Sequence, residues 1–194
     1  DPAHADAANR YLRETAERSG ASVIYLMNHQ GITLAASNYD QPRSFVGGDF
    51  SFRPYFTQAM AGGLGRFYAL GTTSNKRGYY FGAPVDIGRE RKGVVVIKID
   101  LDQIERAWAY EGLRIVVTDP EGIVFLSYRS DWLFNALGVL DPARLARTRE
   151  TRRYANAEIG EIEHVRATAP GGYSLLRTVA PDCVLSEFMA LQTH

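Results

Sequence analysis

The sequence is poor in the residues from which cross-links and most catalytic centres are built. Its 194 residues include one cysteine, Cys183, so no internal disulfide and no cysteine-built metal site can form. The thiol stands beside Asp182, with no basic group close in sequence to activate it. The four histidines are His4, His29, His164 and His194, and none has a metal-ligand spacing such as H-E-x-x-H. No G-x-S-x-G nucleophile elbow occurs. Glu161, Glu163 and His164 lie close together, but on a charged stretch expected to face solvent. An excess of one charge is also missing. The 22 basic side chains balance 22 acidic ones, so no net field draws in nucleic acid or an anionic membrane, and any preference for anions must be local. No apolar run approaches the ~20 residues of a membrane span. No signal peptide opens the chain, which starts Asp1-Pro2 and reads as a piece cut from a longer protein. With no plausible nucleophile, base or metal, catalysis is not expected: no catalytic residue, no metal and no cofactor.

What is present is an ordinary globular composition, 45% hydrophobic and 23% charged, at a length suited to one large domain or two small ones. A helix is expected over 3–19, with Ala7, Ala8, Tyr11, Leu12, Thr15 and Ala16 at helical spacing and Gly20 as its stop. Strands over 22–27 and 32–37 flank Asn28-His29-Gln30-Gly31, a hairpin turn. After a polar loop over 38–48, Pro54 suits a first helical position, and a short helix runs over 53–61. Strands follow over 66–70 and 79–85, joined by a polar loop over 71–78. The most apolar strand covers 93–101, and a helix covers 102–110.

Then the pattern repeats. VIYLMNHQGITLAAS and RIVVTDPEGIVFLSY both run apolar strand, polar turn ending in glycine, apolar strand. Strands are expected over 113–118, 123–127, 161–168 and 173–180, with short helices over 132–137 and 142–149 and a helical restart over 185–191. No β-α-β alternation supports a parallel sheet. The expected class is α+β: two antiparallel, PAS-like sheet units in tandem behind a long N-terminal helix. The divisions are 1–20 for the helix, 21–110 and 111–184 for the two units, and 185–194 for a C-terminal segment.

The stretch from Phe50 to Val85 carries the candidate site. Arg53 stands at a helix start, where unpaired N–H groups and the helix dipole favour an anion. Phe50, Phe52, Tyr55 and Phe56 flank it, an aromatic cluster that would exclude water and strengthen a bidentate pair. Lys98 lies in Val94-Val95-Val96-Ile97-Lys98-Ile99 and shares a strand face with Val94 and Val96. The continuous apolar run reads as a strand buried on both faces. A buried ammonium is costly unless paired; Asp100 on the same face offers a structural pair, and a ligand carboxylate is the alternative. Thr72, Thr73 and Ser74 form a hydroxyl loop that lacks the G-x-x-x-x-G-K-[ST] spacing, which rejects nucleotide binding. Of Tyr79, Tyr80 and Phe81, Tyr80 alone faces the opposite side of its strand.

The motifs ANRYLRETAERSGASVIYLMNHQGITLAASNYD, FVGGDFSFRPYF, GRFYALGTTSNKRGYYFGAPV and GVVVIKIDL resemble the periplasmic sensor domain of DctB-type sensor histidine kinases. The resemblance covers roughly the first 110 residues well and the remainder in outline. It implies a double Cache (PDC) fold whose membrane-distal unit, 21–110, binds a C4-dicarboxylate such as succinate, malate or fumarate. Arg53 would hold one carboxylate and Lys98 the other. Thr72 and Ser74 would add hydrogen bonds, and Phe50, Phe52, Tyr55 and Tyr80 would border the pocket. The family tends to have tyrosine where Phe50 stands, so one ligand hydrogen bond is absent here. Amino-acid-binding relatives in the wider family carry an acidic residue near the Lys98 position; a lysine there repels an ammonium. The resemblance further implies a periplasmic domain of a bacterial inner-membrane protein, with a transmembrane helix beyond Leu191 and a homodimer formed through the N-terminal helix. A cytoplasmic response regulator and a dicarboxylate transporter would be partners, and nucleic acid would not. The alternatives are a ligand-free dimerisation or relay module, and a Cache sensor for another small carboxylate.

Overall fold

The computed structural model describes residues 2–110, 115–150, 152–155, 157–162, 178–180 and 183–187. The chain divides into two compact units, Asp1–Asp100 and Leu101–His194.

The first unit opens with α1 (Pro2–Ser19), β1 (Val23–Asn28) and β2 (Thr33–Ala36), followed by α2 (Pro54–Met60), β3 (Gly65–Leu70), β4 (Arg77–Ile87) and β5 (Glu90–Asp100). Its five strands form one antiparallel sheet in the order β2-β1-β5-β4-β3. Alternation along the strands gives the sheet two different faces. Tyr25, Met27, Phe67, Ala69, Tyr80, Val94 and Val96 point to a core completed by Phe45, Phe50, Tyr55, Phe56 and Ala59. On the other face Ile24 and Ala35 pack under Leu12 and Ala16 of α1.

Two expectations are corrected here. Tyr11 is 70% exposed, and the α1 stripe instead includes buried Asn9, whose Oδ1 accepts the Ala36 N–H at 2.9 Å. The β5 strand is not buried on both faces. Ile97 and Ile99 are 39% and 38% exposed, because the cluster under α1 extends over β5 to Val95.

The second unit contains α3 (Leu101–Tyr110), β6 (Ile115–Thr118), β7 (Val124–Ser127), a 3₁₀ turn (Ser130–Trp132), β8 (Asn135–Leu137), α4 (Pro142–Glu150), β9 (Gly160–Ile162), β10 (Thr178–Ala180) and β11 (Cys183–Glu187). The order β10-β11-β6-β7 is antiparallel, and β8 pairs parallel with β9. Val116, Val124, Trp132 and Ile162 form a core cluster.

A helix over 132–137 does not form. Phe134 takes a left-handed φ of 64° and donates its N–H to the Val124 carbonyl at 2.7 Å, which sends the chain into β8. The helical restart at 185 is likewise replaced by β11, whose Leu185, Ser186 and Glu187 pair with Val117, Val116 and Ile115; residues 188–191 lie outside the described residues. Of the strands expected over 113–118, 161–168 and 173–180, the parts at 113–114, 163–168 and 173–177 also lie outside them.

The internal repeat survives in atomic detail. In the first hairpin Asn28 Oδ1 accepts the Ile32 N–H at 3.0 Å, and Gly31 has φ 84°. In the second, Asp119 Oδ1 accepts the Ile123 N–H at 2.8 Å, and Gly122 has φ 71°. The first residue of each turn also donates its own N–H to the carbonyl of the residue four places on, at 2.9 Å in both. Both hairpins carry a register shift beside the turn, at Leu26/Met27 and Val117/Thr118.

Candidate ligand-binding site

The start of α2 is built against the sheet. Gly65 and Gly82 face each other across β3 and β4, and a Cβ on either would collide with the Tyr55 carbonyl. Backbone therefore rests on backbone, and the first turn of α2 has one seat. At the other end of α2, Arg91 Nη1 donates to the Met60 carbonyl at 2.8 Å while its Nε donates to Asp86 Oδ1 at 2.8 Å. A cation on the last carbonyls suits the helix dipole.

Between this helix, the sheet and two loops lies a cavity. It is lined by Tyr25, Phe45, Phe50, Arg53, Tyr55, Gly71, Thr72, Thr73 and Tyr80 and holds about 220 Å³ of space, part of it open to solvent. Arg53 occupies the N-cap position of α2 and is 3% exposed. Its guanidinium lies 4.8 Å from the Phe52 ring centre and 6.0 Å from that of Phe67. Tyr55 stacks on Tyr80 with ring centres 5.2 Å apart and planes 12° apart. The Tyr25 hydroxyl donates to the Tyr55 hydroxyl at 2.7 Å.

Lys98 is 2% exposed, directly opposite Tyr80 in the β4–β5 register. Its Nζ donates to Ser74 Oγ at 3.1 Å and lies 5.9 Å from the Tyr80 ring centre. Gly78 leaves the space its stem occupies: a Cβ there would come within 2.5 Å of Lys98 Cε. The hydroxyl loop closes on itself, with Gly71 N–H to Lys76 O at 2.9 Å and Asn75 N–H to Gly71 O at 2.8 Å. Arg43, on the 38–48 loop, donates to the Ser74 carbonyl at 2.9 Å. Buried Asn38 shapes that loop, donating to Arg43 O and accepting from the Phe45 N–H.

Burial pushes the Tyr80 phenol up to about 12, against the pull of Arg53 and with a further push from Asp100. Burial likewise raises Tyr55 and Tyr25, and the Arg53 charge only partly offsets it. The phenols are therefore neutral at physiological pH and can act as donors. No carboxylate lines the cavity among the described residues, and these hold no cluster of metal-ligating side chains.

Of the residues selected from sequence, Phe50, Arg53, Tyr55, Thr72 and Tyr80 line the cavity. Lys98 and Ser74 adjoin it, bonded to each other. Phe52 does not line it; 39% exposed, it backs the Arg53 guanidinium from outside. Tyr25 and Phe45 were not selected. Strand alternation held the signal for Tyr25, on the same face as Val23 and Met27. Phe45 stood out only as an aromatic inside a polar loop.

No family model matches the chain. The C4-dicarboxylate transport sensor protein DctB of Pseudomonas aeruginosa is 48% identical over 143 residues, covering 74% of this chain and 23% of that protein. The protein of the same name from Rhizobium meliloti is 35% identical over 189 residues, 97% of this chain and 30% of that protein. The crystal structure of the V. cholerae histidine kinase DctB sensor domain matches with a TM-score of 0.80 at 39% identity, over 84% of this chain and 63% of that one. The chain is a DctB-type sensor domain. It spans less than a third of the length of these curated relatives. The ligand-binding domain of the Pseudomonas aeruginosa amino-acid chemoreceptor PctC, in complex with GABA, shares the fold at 15% identity, with a TM-score of 0.57 over 93% of this chain and 79% of that one. The DctB-type domain thus has the α+β, double Cache architecture read from its sequence. No helix among the described residues is long and apolar enough to cross a membrane.

Proposed function

We propose that this domain is the periplasmic sensor of a two-component histidine kinase and binds a C4-dicarboxylate such as succinate, malate or fumarate without chemical change. One observation carries the reading: two buried cations, Arg53 in the wall and Lys98 beside it, serve a cavity whose phenols are neutral donors and which no carboxylate lines among the described residues. Two fixed positive charges match two carboxylates and leave no partner for an ammonium. Arg53 supplies a bidentate fork for one carboxylate. Lys98 exchanges or shares its Ser74 bond to meet the other, and Thr72 adds a hydroxyl from the loop. The names of the two curated relatives support this ligand class.

The ligand closes the 71–78 loop against α2, and the population shift equals its differential affinity for the closed and open states. The signal then leaves through the second unit to a transmembrane helix beyond Leu191. A homodimer through α1, a cytoplasmic response regulator and a dicarboxylate transporter complete the assembly.

The test is a thermal-shift titration with succinate, malate, fumarate and malonate, and with aspartate and glutamate as controls. Dicarboxylates are expected to stabilise the domain by about 2.7 kcal/mol at a hundredfold excess over Kd, and the amino acids not at all. Arg53→Ala and Lys98→Ala should each abolish the shift. No shift with any dicarboxylate overturns the reading and favours a ligand-free relay module; wild-type binding by both variants overturns the assignment of the site to Arg53 and Lys98.

A further inference from the structure

We infer that Tyr25, through its hydroxyl, is a positioning residue of this site: it fixes the Tyr55 proton as a donor to the ligand. The inference rests on the dicarboxylate reading above. Tyr25 and Tyr55 are each 1% exposed, and their oxygens are 2.7 Å apart. Each phenol has one proton to give, so one must donate to the other and the second proton must go elsewhere.

In the structure the Tyr25 hydroxyl donates and the Tyr55 oxygen accepts. The Tyr25 ring is held in that pose by Phe45 and Phe50, at 5.3 and 5.8 Å between ring centres. The Tyr55 proton is left for the cavity, which also holds Arg53. Tyr55 cannot drift from this aim. Its ring is stacked on Tyr80, and its backbone is seated on the Gly65–Gly82 pair.

This wall of the cavity thus asks the ligand for an acceptor oxygen. A carboxylate satisfies it. An ammonium or amide nitrogen placed there finds only the remaining lone pair of an oxygen that already accepts from Tyr25, which adds a neutral preference to the charge filter of Arg53 and Lys98.

The experiment is calorimetric titration of succinate into the wild-type domain, Tyr25→Phe, Tyr55→Phe and the double variant. Infrared spectra of bound ¹³C-labelled succinate accompany each titration. Losing one net hydrogen bond weakens binding roughly fivefold to tenfold, so Tyr25→Phe and Tyr55→Phe should each fall by about that factor. The double variant should bind like Tyr55→Phe alone, because Tyr25 acts only through Tyr55. Tyr25→Phe should also move the same carboxylate band that Tyr55→Phe moves, a change that loss of packing alone would not produce. Wild-type affinity in Tyr25→Phe, losses that multiply in the double variant, or an unmoved band in Tyr25→Phe would each overturn the inference while leaving the dicarboxylate reading intact. A wild-type domain that binds no dicarboxylate overturns both.

Discussion

Arg53 is buried, but one of the rings that holds it is not. Phe52 is 39% exposed and lies 4.8 Å from the guanidinium, so it contributes little to the core and much to the aim of one side chain. An exposed cation–π contact is worth about 0.5–1 kcal/mol. Phe52→Ala should therefore weaken dicarboxylate binding roughly twofold to fivefold, with an unliganded melting temperature close to wild type; calorimetry and a thermal melt separate the two effects. Sequence reading found Phe52 by proximity to Arg53 and gave it the wrong position. A strand or helix period fixes which face a residue takes, whereas Phe52 lies in the turn before α2, where no period applies. Tyr25 shows the reverse failure. Its inward face was legible from the alternation in VIYLMN, but its importance depends on a hydroxyl contact with Tyr55, thirty positions away, which no local pattern encodes.

At the scale of elements, the two glycine turns are the clearest case of sequence dictating geometry. Asn28 and Asp119 do the same work, each accepting the N–H four residues on. They differ in charge. Burial raises the Asp119 carboxyl above its ordinary range, although the Ile123 N–H, the Tyr154 hydroxyl at 2.9 Å and the Arg153 charge all pull it down. A carboxyl raised in the folded state contributes most stability below its unfolded value of ~3.9 and loses that contribution as pH rises through the folded value. Asp119→Asn, which copies the residue of the first turn, should keep the hairpin and remove this dependence. Thermal melts from pH 3 to pH 7 check it: the advantage of wild type over the variant should shrink as pH rises. The elements that escaped sequence reading share a cause. The strands Asn135–Leu137 and Cys183–Glu187 are defined by partners far along the chain, Gly160–Ile162 and Ile115–Thr118, and their own residues fit a helix as readily.

For the molecule as a whole, the proposed function divides the labour between the two compact units. Every residue assigned to the site belongs to the first, and the proposed function asks the second to transmit. Hydrogen exchange with and without succinate should therefore gain protection at Arg53–Met60, at 71–78 and along Glu90–Asp100. The Asp119–Ile123 turn should change less than these segments. Equal protection throughout the second unit would point instead to global stabilisation by mass action, without a local closure. That two-unit plan was the most legible feature of the chain. It followed from a repeated strand–turn–strand pattern, and patterns are what a single sequence states most directly.

Gly65 and Gly82 are surrounded by residues with some freedom to change. A ring can be exchanged for another ring, and a loop hydroxyl for its neighbour, because side chains have rotamers through which to adjust. The contact of these two glycines with the Tyr55 carbonyl has none, since backbone meets backbone. A methyl group at either position would lift the first turn of α2 from the sheet and carry Arg53 and Tyr55 with it. Under the proposed function, the chemistry of the pocket can therefore be retuned one side chain at a time, toward other small acids, while its floor stays fixed. A substitution on a side chain would alter what such a pocket recognises, whereas one at Gly65 or Gly82 would move the pocket itself.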